Sequence, residues 1–240
     1  MDRRTLLLAG GALAGAVLIG APAHAAARRP VFEWARPGGF FFPGEGVLTP
    51  PALAVYDDHT AYADAAAGLP LRPRQAESLR RHAVEVLSDP RNTRRDPDRP
   101  VRDRPVDHVT VRRDDGTHLT AELAGWGDGD PRHDFPDPLR ALDRHVQDLR
   151  RTVLAGGEPW RPNAILIATV RLDDPPGTAA PWPTGLPRPG TSYAEQTVYG
   201  EQAQLARRTL PAGRDPWPAY RVSPVEFVRA AWRHLLPHEL

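Results

Sequence analysis

Apolar residues recur at every second position in some segments of this chain and at every third or fourth in others, and that alternation predicts its elements. Val31–Arg36 reads as a short strand with Phe32 and Trp34 on one face, ended by Pro37-Gly38-Gly39. Phe40–Phe42 follows, before the turn Pro43-Gly44-Glu45-Gly46. Ala52–Tyr56 and Thr60–Ala63 flank Asp57-Asp58-His59 as a hairpin. Pro73 opens a helix in which Leu79, Ala83, Val86 and Leu87 share a face, and this helix ends near Ser88. The clearest hairpin joins His108–Arg113 to His118–Leu123 through Asp114-Asp115-Gly116-Thr117, with Val109, Val111, Leu119, Ala121 and Leu123 on one face. The clearest helix has Asp137 as N-cap and Pro138 at its first position. Its stripe is Leu139, Leu142, Val146, Leu149 and Val153, and Gly156-Gly157 closes it. Asn163–Leu172 is a continuous apolar run, which suits a central strand buried on both faces, and Glu201–Leu210 suits a short helix.

Between these segments the chain is polar or rich in proline. Residues 88–107 hold six arginines and four prolines and read as a flexible loop; residues 173–191 read as an irregular Pro-rich loop. The last segment supports two readings. Ser223-Pro224-Val225-Glu226 resembles a capping box leading into Val225, Val228, Trp232 and Leu235 at helical spacing, whereas Tyr220–Val222 and Phe227–Trp232 form a closing hairpin; the hairpin is preferred. The order of elements predicts a single α+β domain over residues 26–240, a mostly antiparallel sheet with two or three helices packed on one face.

Gly38-Gly39-Phe40, the run Leu53-Ala54-Val55-Tyr56-Asp57-Asp58, the Asp114-Asp115-Gly116 hairpin, Trp182 and the ending Arg233-His234-Leu235-Leu236-Pro237 together resemble the uncharacterised secreted proteins and lipoproteins common in actinobacteria. The similarity covers most of the chain beyond Ala25, and its motifs are turns and packing residues. It implies the α+β fold, an extracytoplasmic location and the hairpin reading of the last segment, and it implies no activity. Lipoproteins of that group carry a lipid-modified cysteine, which this chain lacks, so the resemblance does not imply tethering.

The N-terminus points to the same compartment. Arg3-Arg4 precede the apolar run Leu6–Ile19, and Ala23 and Ala25 supply small residues at the −3 and −1 positions of a cut after Ala25. This is the pattern of a secretory signal peptide, too short for a comfortable membrane span of about 20 residues. Asp2-Arg3-Arg4-Thr5-Leu6-Leu7 also matches the twin-arginine export motif. Removing residues 1–25 takes two arginines and one aspartate from totals of 31 basic and 30 acidic residues, which leaves 29 of each. A neutral mature chain weakens any case for electrostatic capture of nucleic acid.

Composition narrows the chemistry further. The chain has no lysine and no cysteine. It therefore has no Schiff-base or pyridoxal lysine and no P-loop, and it has no thiol catalysis, disulfide or thiolate metal site. Arginine in place of all lysine fits a GC-rich genome and is not itself a nucleic-acid signature. Nine histidines invite a metal reading. His234 and His238 are spaced i, i+4 but have Pro237 between them, while His108 and His118 share a face of the best hairpin. Asp128, Asp130 and Asp134 resemble a calcium loop broken by Arg132. None of these amounts to a ligand set, and no metal or cofactor is expected. Among four serines, Ser192 beside Tyr193 is the least unsuited nucleophile. The Asp pairs 57–58, 114–115 and 173–174 fall at turns, where aspartate serves the backbone, so no catalytic set is expected. Trp160, Trp182 and Trp217 each lie among prolines. Rigid loops displaying such rings suit a recognition surface, and the competing reading folds the rings back onto a core. The expectation is an exported, non-enzymatic binding or cell-envelope-associated protein. Its partner would be a protein, glycan or envelope component and not nucleic acid. The alternative is a secreted hydrolase whose histidine and carboxylate groups meet only through the fold.

Overall fold

The structure, a computed structural model, describes residues 28–38, 46–96, 105–126, 134–213 and 217–240. The expected signal segment, the apolar run Phe40–Phe42, the centre of the arginine-rich loop, and Asp128 and Asp130 lie outside the described residues. The fold is α+β, and its strands divide into two sheets where the pattern suggested one. Strands β1 (Pro30–Gly38), β2 (Leu53–Tyr56), β3 (Thr60–Ala63), β4 (Ala67–Pro70), β5 (Val106–Arg112), β6 (His118–Ala124) and β7 (Glu158–Pro159) form an antiparallel sheet in the spatial order β6-β5-β1-β2-β3-β4-β7. Helices α1 (Pro73–Leu87), α2 (Pro90–Thr93) and α3 (Asp137–Gly156) accompany it. The second sheet contains β8 (Ala164–Leu172), β9 (Ala180–Pro181), β10 (Tyr193–Tyr199), β11 (Ala219–Ser223) and β12 (Glu226–His234) in the order β10-β8-β12-β11-β9, with α4 (Gly200–Thr209) on one face. The last segment is therefore the hairpin β11–β12, and Ser223 Oγ accepts from the Val225 N–H within its turn.

Period-two alternation sends Phe32, Trp34, Leu53, Val55, Val109 and Val111 to one face of the first sheet. There they meet Leu79, Ala83 and Val86 of α1 and the expected stripe of α3. The α3 N-cap is Pro136 and not Asp137, a shift of one residue. Gly157 closes the helix in extended backbone, so its value is not a left-handed turn. A Cβ there would stand 2.5 Å from the Val153 oxygen and 2.9 Å from the Gly68 oxygen, so glycine is required where α3 runs into β7 against β4. In the second sheet, Ile165 and Ile167 of β8 face Ala203 and Ala206 of α4, as expected of a strand buried on both sides.

The two sheets cover each other's inner faces with short arms. A 3-10 turn at Gly46–Leu48, from the first half of the chain, lies against Ala168, Trp217 and Ala231 of the second half. Reciprocally, residues beyond β12 cross the back of the first sheet, where Leu236 is fully buried with Ala54, Tyr56 and Tyr62. Polar bonds fix this return. Trp160 Nε1 donates to the Leu235 oxygen at 2.8 Å, and His238 Nδ1 lies 2.6 Å from the Tyr56 hydroxyl. His238 Nε2 lies 3.3 Å from Glu33, whose carboxyl is pushed up to about 7 by burial and by the charge of Glu239. Arg233 joins the arms: its buried guanidinium donates to the Val47 oxygen of one arm and to both oxygens of Glu239 in the other, at 2.8 and 2.6 Å. Truncating one member of a buried, forked pair strands the other's charge. Arg233→Ala should therefore cost about 3–5 kcal/mol in urea denaturation. Arg188→Ala, which cuts a pair whose guanidinium is 71% exposed, should cost under about 1 kcal/mol. Equal losses would show that Arg233 does not clasp the arms.

Candidate functional site

Buried polar groups gather where β1, β5 and α3 meet. Asp107 has the parity of Val109 and Val111, so β5 carries a carboxylate into the helix-facing core, with 0% of the residue exposed. Three donors hold it: Trp34 Nε1 at 2.7 Å, and Nε and Nη2 of Arg36, both at 3.1 Å. A second carboxyl, Asp143, lies within the apolar stripe of α3 and is also buried. Gln147 Nε2, one turn along, approaches it at 3.5 Å. Burial pushes the Asp143 carboxyl up to about 6; the Gln147 contact opposes the shift, and the negative charge of Asp107 adds to it.

Farther along α3, Arg150 forks onto Asp64 with bonds of 3.0 and 2.5 Å. Asp64 and Ala65 are the central residues of the turn closed by Ala66 N to the Ala63 oxygen, and both have positive φ, 52° and 47°. A type I′ turn needs this conformation and commonly uses Asn-Gly. With side chains at both positions the strain is about 1–2 kcal/mol per residue. The tight turn aims the Asp64 carboxylate at Arg150. Between these groups is a cavity of about 360 Å³ lined by Trp34, Arg36, Thr49, Asp64, Gln147 and Arg150, within the size range of small-ligand sites. Asp107 and Asp143 stand behind its wall, in contact with lining residues Trp34, Arg36 and Gln147.

Two other clefts have weaker chemistry. One of about 440 Å³ collects Arg80, Arg112, Asp57, Asp114 and His59 at the opposite turns of the sheet. Its acids are largely in water, Asp114 90% and Asp57 57% exposed, so its ion pairs are screened. A groove between α1 and α3 brings together Ser78, His145 and Asp148. Among the described residues no hydrogen bond joins Ser78 to His145; His145 Nδ1 instead lies 3.5 Å from His82 Nδ1, and Asp148 pairs with Arg151.

The three tryptophans flagged by their prolines occupy separate clusters. Trp160 packs edge-on to Tyr62 at 4.6 Å, Trp182 edge-on to Tyr220 at 5.8 Å, and Trp217 is buried with Leu48 and Ala231. The fold does not bring them to one surface. The histidine pairs also separate. Register sets His108 opposite Glu122 and His118 opposite Arg112. His234 stays on β12 beside Trp232, its imidazole driven down to about 4 by burial and by nearby Arg207 and Arg161, while His238 goes to Tyr56 and Glu33. Asp134 pairs with Arg95 at 2.7 Å, and Ser192 lines a surface cleft beside Tyr193. Among the described residues no three His, Cys, Asp or Glu side chains converge as metal ligands, and no helix is long and apolar enough to cross a membrane. The pocket residues Arg36, Asp64 and Arg150, and the carboxyls Asp107 and Asp143 behind its wall, escaped the sequence reading. The available signal was Asp107 in phase with Val109 and Asp143 inside the stripe.

The raised Asp143 pKa sets a direction for stability. A folded pKa above the unfolded value near 3.8 means that the fold prefers the protonated carboxyl. Its contribution is complete below about pH 4 and is lost as pH rises through about 6. Asparagine mimics the protonated form. Asp143→Asn should therefore be more stable than the parent at about pH 8, by up to about 3 kcal/mol, and indistinguishable from it at about pH 4. Urea titrations at the two pH values check this; a gap independent of pH would exclude the assignment.

A scan against protein-family models finds no match for this chain, and neither a search of curated proteins nor one of solved structures finds a similar protein.

Proposed function

We propose that the protein is an exported, non-enzymatic binding protein that takes a neutral, hydroxyl-rich ligand of the glycan or cell-envelope class in the pocket between Trp34, Asp64 and Arg150. The carrying observation is the charge balance of that pocket: its guanidiniums, Arg36 and Arg150, are each forked by a carboxylate, Asp107 and Asp64. An anion would meet no net positive charge there. A ligand carrying both donors and acceptors would meet guanidinium, carboxylate and amide groups already held by their neighbours, together with the Thr49 hydroxyl, and such held groups orient a ligand at little entropic cost. Export rests on Arg3-Arg4, the run Leu6–Ile19 and the small residues before Ala25, and the likeness to secreted actinobacterial proteins agrees with it. A thermal-shift screen of the purified protein against neutral oligosaccharides and cell-wall fragments tests the reading. A binder present at about 100 times its Kd should add about 2.7 kcal/mol of stability. Arg150→Gln should abolish that gain while remaining folded, and Trp182→Phe should retain it. A gain that survives Arg150→Gln, or no gain from any glycan, would defeat the reading.

A second reading, a secreted hydrolase, has one supporting observation. Asp143, pushed up to about 6, and Asp107, bracketed by Trp34 and Arg36, are two carboxyl groups in unlike environments, the condition that separates an acid from a base at one site. On this reading the protein cleaves glycosides with an activity that declines above about pH 6 and vanishes in Asp143→Asn. Cleavage that persists in that variant would discard it.

A further inference from the structure

The second sheet ends at β10, and the outer side of this strand carries no further strand among the described residues. Arg171 N bonds the Ser192 oxygen at 2.7 Å and Gly200 N bonds the Asn163 oxygen at 3.0 Å, on either side of a register running without a shift from Tyr193↔Val170 to Tyr199↔Ala164. In an antiparallel ladder the bonded residues alternate. The even-numbered residues of β10 therefore bond β8, and the main-chain groups of Tyr193, Glu195, Thr197 and Tyr199 point away from the sheet. All four residues are exposed, Tyr199 by 56%. Among the described residues no backbone bond beyond the strand ladders and no side-chain bond uses these outward groups.

We propose that β10 pairs antiparallel with β10 of a second copy of this chain, about a two-fold axis through Gln196. This register sets Tyr193 against Tyr199 of the second copy and Glu195 against Thr197, and it satisfies all the outward donors and acceptors of the strand. It also decides between neighbouring registers. A slip of two residues, which preserves the bonding parity, would centre either on Glu195 and oppose two like charges, or on Thr197 and leave Tyr193 unpaired. The Gln196 register overlaps the whole strand and places the edge's one charge opposite a hydroxyl. The other long edge, β6, is less open, because Arg95 Nη1 already donates to the Ala124 oxygen at 3.0 Å. The remaining edges, β7 and β9, are two residues long. A seven-residue seam is smaller than the standard interface of about 1,600 Å², so the dimer is reversible and concentration-dependent.

Sedimentation of the purified protein should show a mass that rises from one copy to two with concentration. Thr197→Pro deletes an outward N–H without touching the β8 ladder; it should stay monomeric with unchanged circular dichroism and Tm. The absence of cysteine permits a sharper test. Gln196 would face its own mate in a non-hydrogen-bonded pair with Cα atoms about 4.5 Å apart, within the range a disulfide spans. Gln196→Cys should oxidise to a covalent dimer, and Ala194→Cys, placed opposite Val198, should not. A monomer at every concentration, equal cross-linking by the two cysteine variants, or a dimer that survives Thr197→Pro would each overturn the proposal.

Discussion

The Arg233 guanidinium lies where two arms exchanged between the sheets meet, and the layering of the molecule depends on that meeting. Without the Gly46–Leu48 turn, Ala168 and Ala231 of the second sheet would face water; without Leu236, so would Ala54 and Tyr62 of the first. Apolar burial drives each arm inward, but burial is not directional. Direction comes from the polar bonds: Arg233 reaches the Val47 oxygen and Glu239, His238 reaches Tyr56, and Trp160 reaches the Leu235 oxygen. A guanidinium can do this from inside because its planar donors serve several acceptors at once. The exchange also explains how a chain without cysteine joins two cores, since each arm depends on the sheet it leaves as well as on the sheet it covers.

The same chemistry recurs at the pocket. With no lysine in the chain, the interior cations are arginines. Arg36 with Asp107, Arg150 with Asp64 and Arg233 with Glu239 are all two-bond forks. Where the carboxylate is fully buried, as Asp107 is, a point charge on a flexible stem would leave one oxygen unsatisfied, and an unsatisfied buried oxygen costs more than a bond returns. Asp143 is the exception that shows the rule. It has a glutamine neighbour and no guanidinium fork, and its carboxyl, like that of Glu33 beside His238, is driven toward neutrality. The strained turn at Asp64 and Ala65 belongs to the same site. Strain of this kind persists where surrounding contacts over-determine the backbone, here the Arg150 fork and the burial of Ala65.

Legibility in the sequence followed burial asymmetry. Helices α1 and α3 and the β5–β6 hairpin each bury one face, so their periods are plain, and β8, buried on both, reads as an apolar run. Strand β10 was missed because Tyr193, Glu195, Thr197 and Tyr199 all face outward, which leaves Val198 as the one buried apolar residue of the strand. Strands β7 and β9 are too short to show any period, and β4, Ala67–Pro70, holds a glycine and a proline. The division into two sheets was hidden for a different reason: strand pairing is non-local, and nothing in β8 marks β12 as its neighbour instead of β6. The pocket was illegible for the same cause. Arg36, Asp64, Asp107 and Arg150 come from four separate elements or turns, and an aspartate before a hairpin or inside a helical stripe looks polar until its partners are in place. The tryptophans show the converse. Pro159 and Pro181 belong to the two-residue strands β7 and β9, and a ring beside proline can be aimed inward, as Trp217 is aimed.

The pocket and the open edge lie on different sheets. The pocket belongs to the helix-facing side of the first sheet and its lining comes from β1, α3, the segment before β2 and the turn after β3; the open edge belongs to β10 of the second. Pairing through β10 would extend the second sheet in its own plane and would use no residue that lines the pocket. Ligand occupancy and self-association therefore share no side chain, and coupling between them would run through the arms that Arg233 joins and the short segment that links β7 to β8. One arm begins three residues before the lining residue Thr49, and the other leaves β12, which is separated from β10 by β8 alone. A sheet that can add a strand at one edge while the other sheet holds its pocket unchanged lets copies assemble with every pocket open. The proposed two-fold pair would close both β10 edges on each other and hold two pockets in one fixed relation, so a ligand long enough to reach both would be bound twice.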